Sequence, residues 1–437
     1  MQRIIWSSLL VAASVAGSVQ AGDGPTVVLG VGAEHTDNAY RSSVFERSEM
    51  KEFVDLDLGY RRAGTALEAD VLYNTEFANY EHDTTAEDAV IRGRAALTWH
   101  VLPGRLQWDL SHDRSEQLQD TRQPDIRNNK QIRDVISTGP TFVARMGPVD
   151  NLVFNAMFFD VSYDDSDRTV GGGARNSDNQ RLQGGVSWQH LRSKTDTLSL
   201  NYQYMESEFD DTDDEFQFQR VFGTYAVRLA SGGYSVSLGA NNSERKNGAG
   251  DSNGFMAQAA WQLATGGHRF RLTAVNELTD SGIGLGGSSL IGNDFRPNDG
   301  NFDVIDMVER RRFDFGYGYD RLCERCTLDF GVVADSQDFD VQPRDQEQLG
   351  FSARFGYQLT PTMKASLRAG YSEIDYSDDP AGDRTDERTE YALFVDWRLS
   401  RPMTATFWVA HDERDSDVGR QGYEELAGGV RLSYRFR

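Results

Sequence analysis

The chain is poor in several things that mark common protein classes. Of 437 residues only two are cysteine, ten are proline and five are lysine, and apolar side chains make up 38%. Two cysteines cannot frame a disulfide-rich scaffold. Past residue 21 no apolar run approaches the roughly 18 residues of a membrane-spanning helix, so a helical membrane protein is excluded. Positive charge is also short: 45 basic against 68 acidic residues leave a net charge of −23, the wrong sign for a nucleic-acid partner. These deficits alone describe a large, acidic, soluble β-protein.

The N-terminus points elsewhere. In Met1–Ala21, Arg3 supplies a basic start, Ile4–Ala16 an apolar stretch and Val19-Gln20-Ala21 a small-residue cleavage site, the pattern of a secretory leader. Residues 1–21 are therefore expected to be removed, leaving 22–437 as one domain, since no linker or composition break divides it.

Strict alternation runs through that domain. From Leu349 to Leu359 the apolar residues Leu349, Phe351, Ala353, Phe355, Tyr357 and Leu359 take every second position. Leu67–Asn74, Met363–Tyr371 and Leu426–Phe436 repeat the pattern, which belongs to strands whose faces meet different surroundings. Short turn signals, such as Pro103-Gly104, Gly232-Gly233 and Gly266-Gly267, alternate with longer polar connections. Nine of the ten prolines fall in connections or at the N-terminus, and Pro140 is read as a bulge.

Aromatic placement decides between architectures. Tyr60, Trp99, Phe142, Trp188, Tyr225, Trp261, Tyr319, Tyr357, Trp397 and Tyr434 each precede a short turn or the C-terminus by a few residues on the apolar face. A β-sandwich or solenoid has no reason to level rings at one height. A membrane barrel does, because amphipathic rings settle in the headgroup layer. The expectation is an all-β, single transmembrane antiparallel barrel of about 20 strands (18 if one hairpin folds into a loop). It has short periplasmic turns and long acidic extracellular loops, in the outer membrane of a Gram-negative cell. Outer-membrane lipid, lipopolysaccharide and the barrel-assembly machinery are the expected partners.

If the apolar face meets lipid, the other face lines a lumen. It carries Arg92, Arg94, Arg145, Arg269, Arg271, Arg312, Arg354, Arg368, Arg398 and Arg431, together with Lys364 and carboxylates such as Asp55, Asp57, Asp314, Asp329 and Asp396. Arginine offers a planar fork suited to carboxylate, sulfate or phosphate, so these positions are candidates for contacting a hydrated, anionic solute. Opposite charges on neighbouring strands could equally satisfy one another and stiffen the wall. The glycine-rich connection Gly282–Asp303 is read either as a loop folded into the pore or as an external one. Acidic runs such as Asp164–Asp167 and Asp210–Glu215 read as solvated loops.

Chemistry-bearing motifs are few. Cys323-Glu-Arg-Cys326 sits at a predicted periplasmic turn, where an oxidising compartment favours a disulfide. Three His-Asp pairs, His82-Asp83, His112-Asp113 and His411-Asp412, lie near external strand ends, but adjacent strand residues point to opposite faces. Neither an enzymatic site nor a cofactor or metal is expected.

Finally, Gly30-Val31-Gly32-Ala33-Glu34-His35-Thr36-Asp37-Asn38-Ala39-Tyr40-Arg41 resembles the opening strand of the EpsL-like β-barrel porins linked to exopolysaccharide loci. In those proteins an alternating strand ends in Asp-Asn followed by an aromatic and a basic residue. The resemblance implies an outer-membrane barrel that assists export of an extracellular polysaccharide alongside other export components, and it supplies no catalytic residues. The strand ending in Phe436 is similar to the signal read by the barrel-assembly machinery, with Arg437 following the phenylalanine that is usually last. A nutrient porin, or a structural barrel with a closed lumen, are the rival readings.

Overall fold

A computed structural model describes residues 24–82, 89–118, 123–126, 129–163, 178–210, 215–246, 251–280, 306–340, 345–377, 382–418 and 421–436. The expected leader, the segment Gly282–Asp303, most of the acidic runs and Arg437 lie outside the described residues. The strands are β1 (Gly24–Thr36), β2 (Glu49–Ala63), β3 (Leu67–Tyr80), β4 (Ala89–Leu102), β5 (Leu106–Leu118), β6 (Lys130–Arg145), β7 (Asp150–Tyr163), β8 (Asn179–Leu191), β9 (Asp196–Phe209) and β10 (Glu215–Leu229). The second half holds β11 (Gly232–Arg245), β12 (Asp251–Thr265), β13 (His268–Asp280), β14 (Met307–Tyr319), β15 (Cys326–Phe339), β16 (Gln346–Thr360), β17 (Met363–Tyr376), β18 (Arg384–Arg398), β19 (Met403–Ser416) and β20 (Tyr423–Phe436).

Each strand pairs antiparallel with the next, and β20 returns to β1 over Val27↔Phe436 to Thr36↔Ala427. The sheet closes as a 20-stranded barrel, which leaves no strand edge in lipid. The long alternating segments explain why: strands of 13 to 16 residues suffice for a tilted crossing of the hydrocarbon layer.

Outside, the wall is apolar. Leu200, Val221, Leu238, Leu393 and Val409 are about half exposed, as lipid-facing residues of an isolated barrel must be. The ten aromatics all fall on even-numbered strands near the short-turn end. Odd-numbered strands add rings: Trp108 opposes Trp99, Phe154 stacks on Phe142 at 6.4 Å, and His268 stacks on Tyr319 at 4.3 Å. The girdle is therefore denser than the sequence pattern shows.

Two local expectations change. The short turn expected near Gly232-Gly233 falls immediately before that pair, at Ala230-Ser231, because Leu229 pairs with Gly232. The glycines serve close approach instead, since a Cβ on Gly232 would lie 2.1 Å from the Gln262 carbonyl oxygen. Pro140 marks no bulge either. Thr138 pairs with Phe158 and Thr141 with Asn155, so the register of β6 on β7 is unchanged and only the pairing at Gly139-Pro140 is lost, as expected where proline supplies no N–H. Register shifts occur near the short-turn rim instead, at Trp99/Leu102 and Gln358/Thr360. At the β12–β13 turn, Gly266 and Gly267 have φ of 58° and 91°, the left-handed pair that a two-residue hairpin demands.

Candidate functional site: the lumen wall

The inner wall is built first from glycine. On β1, Gly30 lies between β20 and β2, and a Cβ there would fall 2.3 Å from Asp55 Oδ1 and 2.7 Å from Arg431 Nε. Because that space is empty, Arg431 on β20 reaches over β1 to Asp55 on β2, donating through Nε at 2.8 Å, and to Asp57 at 3.0 Å. Gly32 leaves room for the Phe53 ring and Gly429 for the Trp408 indole. Phe53, Phe394 and Trp408 then form a buried apolar cluster on the lumen side, and Arg368 stacks over the Phe394 ring at 4.5 Å.

At the extracellular mouth the segment after β1 turns inward. Asn38 is buried, with its amide donating to the carbonyls of Ser42 and Glu424 and its carbonyl accepting from the Ser42 N–H. This frame holds Arg41 at φ 48°, a rare conformation for a side-chain-bearing residue. Arg41 reaches Glu425 at 2.6 Å, Asp412 at 3.2 Å and the backbone oxygen of Asp125 at 3.2 Å. Burial works against its charge most strongly of any single influence, but Glu425, Tyr423, Asp412 and Asp125 together outweigh it, and the guanidinium pKa is raised well above its ordinary value. Asp412 also accepts from Arg388 at 2.6 and 2.9 Å. Sequence reasoning treated Asn38 and Arg41 as a family signature; their role is to tie three chain segments together at the pore entrance.

On the opposite side, β13 leaves the sheet. Its ladder with β12 ends at Ala257↔Asn276, whereas β11–β12 continues to Glu244↔Asp251 and β13–β14 to Asp280↔Met307. The freed end passes beneath β12 on the lumen side. The Leu278 carbonyl accepts from Arg220 at 3.2 Å and Asn241 at 3.4 Å, and Arg220 pairs with Glu277 at 2.9 Å. Gly254 makes room, the Leu278 Cβ lying 3.4 Å from where its own Cβ would be. Leu278 and Met307 pack with Met205, Phe209, Phe216 and Phe218 in an apolar core inside the barrel. The wall is locally two layers thick, which narrows the lumen.

The ten predicted arginines divide. Arg92 pairs with Glu116 at 2.7 Å; Arg269 with Asp329 at 3.0 Å and with Asp320; Arg312 with Asp314 and Asp335; and Arg431 as above. Arg398 donates to the Pro361 carbonyl, and Arg271 faces Gly316 on β14 and Gln262 on β12. For these, mutual satisfaction with the wall is the dominant arrangement. Among the described residues Arg94, Arg145, Arg354, Arg368 and Lys364 have no ion pair. Arg354 and Arg368 stand directly opposite each other on β16 and β17.

Cys323 in the β14–β15 connection and Cys326, the first residue of β15, are joined by a disulfide, with Cα atoms 5.0 Å apart. His112 and Asp113 lie on opposite faces. His112 faces outward, between the Tyr73 hydroxyl at 2.5 Å and Asp134 at 2.7 Å. His411 meets Glu424 at 3.1 Å while Asp412 belongs to the mouth network. No two of the three His-Asp motifs converge among the described residues.

The family model described as "Putative outer membrane beta-barrel porin, MtrB/PioB" matches residues 339–432, from the end of β15 into β20. No curated protein is similar in sequence. Among solved structures, the ferric enterobactin receptor PfeA of Pseudomonas aeruginosa is 12% identical, over 95% of this chain and 81% of that one, with a TM-score of 0.48. OpdK of Pseudomonas aeruginosa, solved with vanillate, is 11% identical over 95% of this chain and 100% of its own, with a TM-score of 0.42. Closed strands, an apolar outer belt and an aromatic girdle make this chain an outer-membrane β-barrel.

Proposed function

We propose that the barrel is a passive pore for hydrated solutes and serves the outward passage of an extracellular polysaccharide. The observation that carries the pore reading is the strand number. Eight strands leave an interior just wide enough for side chains to fill, whereas about 16–18 leave an aqueous channel, and this barrel has 20. The inward end of β13 narrows that space on one side of the wall. The solute class and direction rest on the likeness of Gly30–Arg41 to the exopolysaccharide-linked porins, and a polar lumen wall suits a hydrated sugar chain.

Two measurements test the reading. Purified barrel in a planar bilayer is expected to give stable single-channel conductance; a silent barrel would sink the pore. Deletion of the gene is expected to reduce polysaccharide in the culture medium and raise it in the periplasm. Unchanged secretion beside normal conductance would favour uptake of small hydrophilic solutes instead.

A further inference from the structure

We infer that Arg354 and Arg368 form an oxyanion-binding subsite on the lumen wall, taking a carboxylate or sulfate group carried by the solute. The inference rests on the pore reading above for access, but the site itself is argued from the wall. The two arginines are directly opposed residues of β16 and β17 and point inward, since Leu349, Phe351, Tyr357 and Leu367 take the outward positions. Like charges opposed on neighbouring strands repel and destabilise a sheet unless something lies between them.

The wall gives neither arginine an ion pair among the described residues. Asp329 is the cross-strand partner of Arg354, but Arg269 claims it at 3.0 Å. Arg269 reaches it across Gly318, whose missing side chain leaves the space: a Cβ there would sit 2.7 Å from Arg269 Nη2 and 2.8 Å from Asp329 Oδ1. Asp396 accepts from Thr406 at 2.8 Å and is the cross-strand partner of Lys364. On the far side of Arg368 the next inward residues are Ala392 and Ala410, which offer no acceptor. Both Nε–H groups are buried and without a hydrogen-bond partner among the described residues.

An unsatisfied buried donor costs about 1–3 kcal/mol, more when charged, so two of them side by side are a standing demand for an acceptor. Phe394, 4.5 Å below the Arg368 guanidinium, fixes the plane of that fork and leaves its edge for a ligand. Two planar forks with free Nε–H donors match the paired oxygens of carboxylate or sulfate. Lys364 on β17 and Arg398 on the neighbouring β18 extend positive charge toward the periplasmic rim, where a solute moving outward would enter.

Calorimetry on detergent-solubilised full-length barrel tests the site directly, with trigalacturonate as the carboxylate probe, inorganic sulfate as the second oxyanion and maltotriose as the neutral control. Trigalacturonate or sulfate is expected to bind at least about tenfold more tightly than maltotriose, and whichever is tighter identifies the group. The double variant Arg354→Gln/Arg368→Gln is expected to abolish that preference while keeping the heat-modifiable band of a folded barrel, because it relieves repulsion. Equal binding of charged and neutral probes, or a preference unaltered in the folded double variant, would overturn the subsite. The same preparation in bilayers separates the two ideas: binding without conductance removes the pore and leaves the subsite, and conductance without binding does the reverse.

Discussion

At the scale of single residues the wall is held by what some positions lack. Gly30→Ala places a methyl group inside the Asp55–Arg431 pair, so the pair must separate or the strand must shift. Breaking a buried ion pair costs about 3–5 kcal/mol, and a loss of that order is expected in the unfolding free energy measured in urea with liposome-inserted barrel. Gly184→Ala, where nothing lies within 4 Å of the new Cβ, is expected to stay within about 0.5 kcal/mol of the parent. Equal effects at the two positions would mean that Gly30 is not the keyhole for Arg431. Asn38 is a second such position. Asn38→Ala removes the amide that donates to Ser42 and Glu424 and accepts from the Ser42 N–H. It should therefore release Arg41 from its φ of 48° and expose the 37–48 connection to protease without unfolding the strands. An unchanged cleavage rate there would show that Arg41 alone anchors the segment.

At the scale of elements, the strands and their alternating connections were legible because lipid and lumen enforce a period of two, and no other pattern satisfies both faces. The end of β13 was not. Its residues Asn276–Asp280 have no local signal for leaving the sheet; the departure depends on Arg220 and Asn241, which lie 58 and 37 positions from the Leu278 carbonyl they satisfy. Likewise, the lumen arginines were legible as a set, but which of them keep a carboxylate depends on which strand neighbour reaches it first, as Arg269 does across Gly318. The tucked end of β13 carries a prediction. Arg220→Met/Glu277→Leu replaces a buried pair by apolar groups of similar size, often neutral for stability, and with Asn241 still donating to the Leu278 carbonyl it should leave the constriction and the conductance unchanged. Arg220→Ala alone leaves Glu277 buried and uncompensated; the end of β13 is expected to swing out and single-channel conductance to rise. Identical conductance in Arg220→Ala and the parent would show that the pair does not hold the constriction.

At the scale of the whole molecule, one of the twenty strand pairings differs in kind from the rest. Nineteen are joined by a connection along the chain, whereas β1–β20 brings together ends about 400 residues apart. The entropy of such a closure grows as about (3/2)RT ln n, roughly 5 kcal/mol for this length, and backbone pairing must offset it in a single step. Side chains crowd that seam accordingly. Arg431 crosses β1 to Asp55 and Asp57, Arg41 reaches Glu425 and Asp412, and Thr36 donates to Glu425 at 2.6 Å. If these contacts serve closure, their loss should cost more than the loss of an equally buried pair elsewhere in the wall. Arg431→Ala and Arg220→Ala each strand a buried carboxylate, Asp55 in the first case and Glu277 in the second. Only the first touches the seam. During refolding into lipid vesicles, Arg431→Ala is therefore expected to slow the appearance of the heat-modifiable closed form severalfold, and Arg220→Ala to leave that rate near the parent's. Equal slowing in both would place the effect in buried charge alone and leave closure to the backbone ladder between Val27 and Phe436.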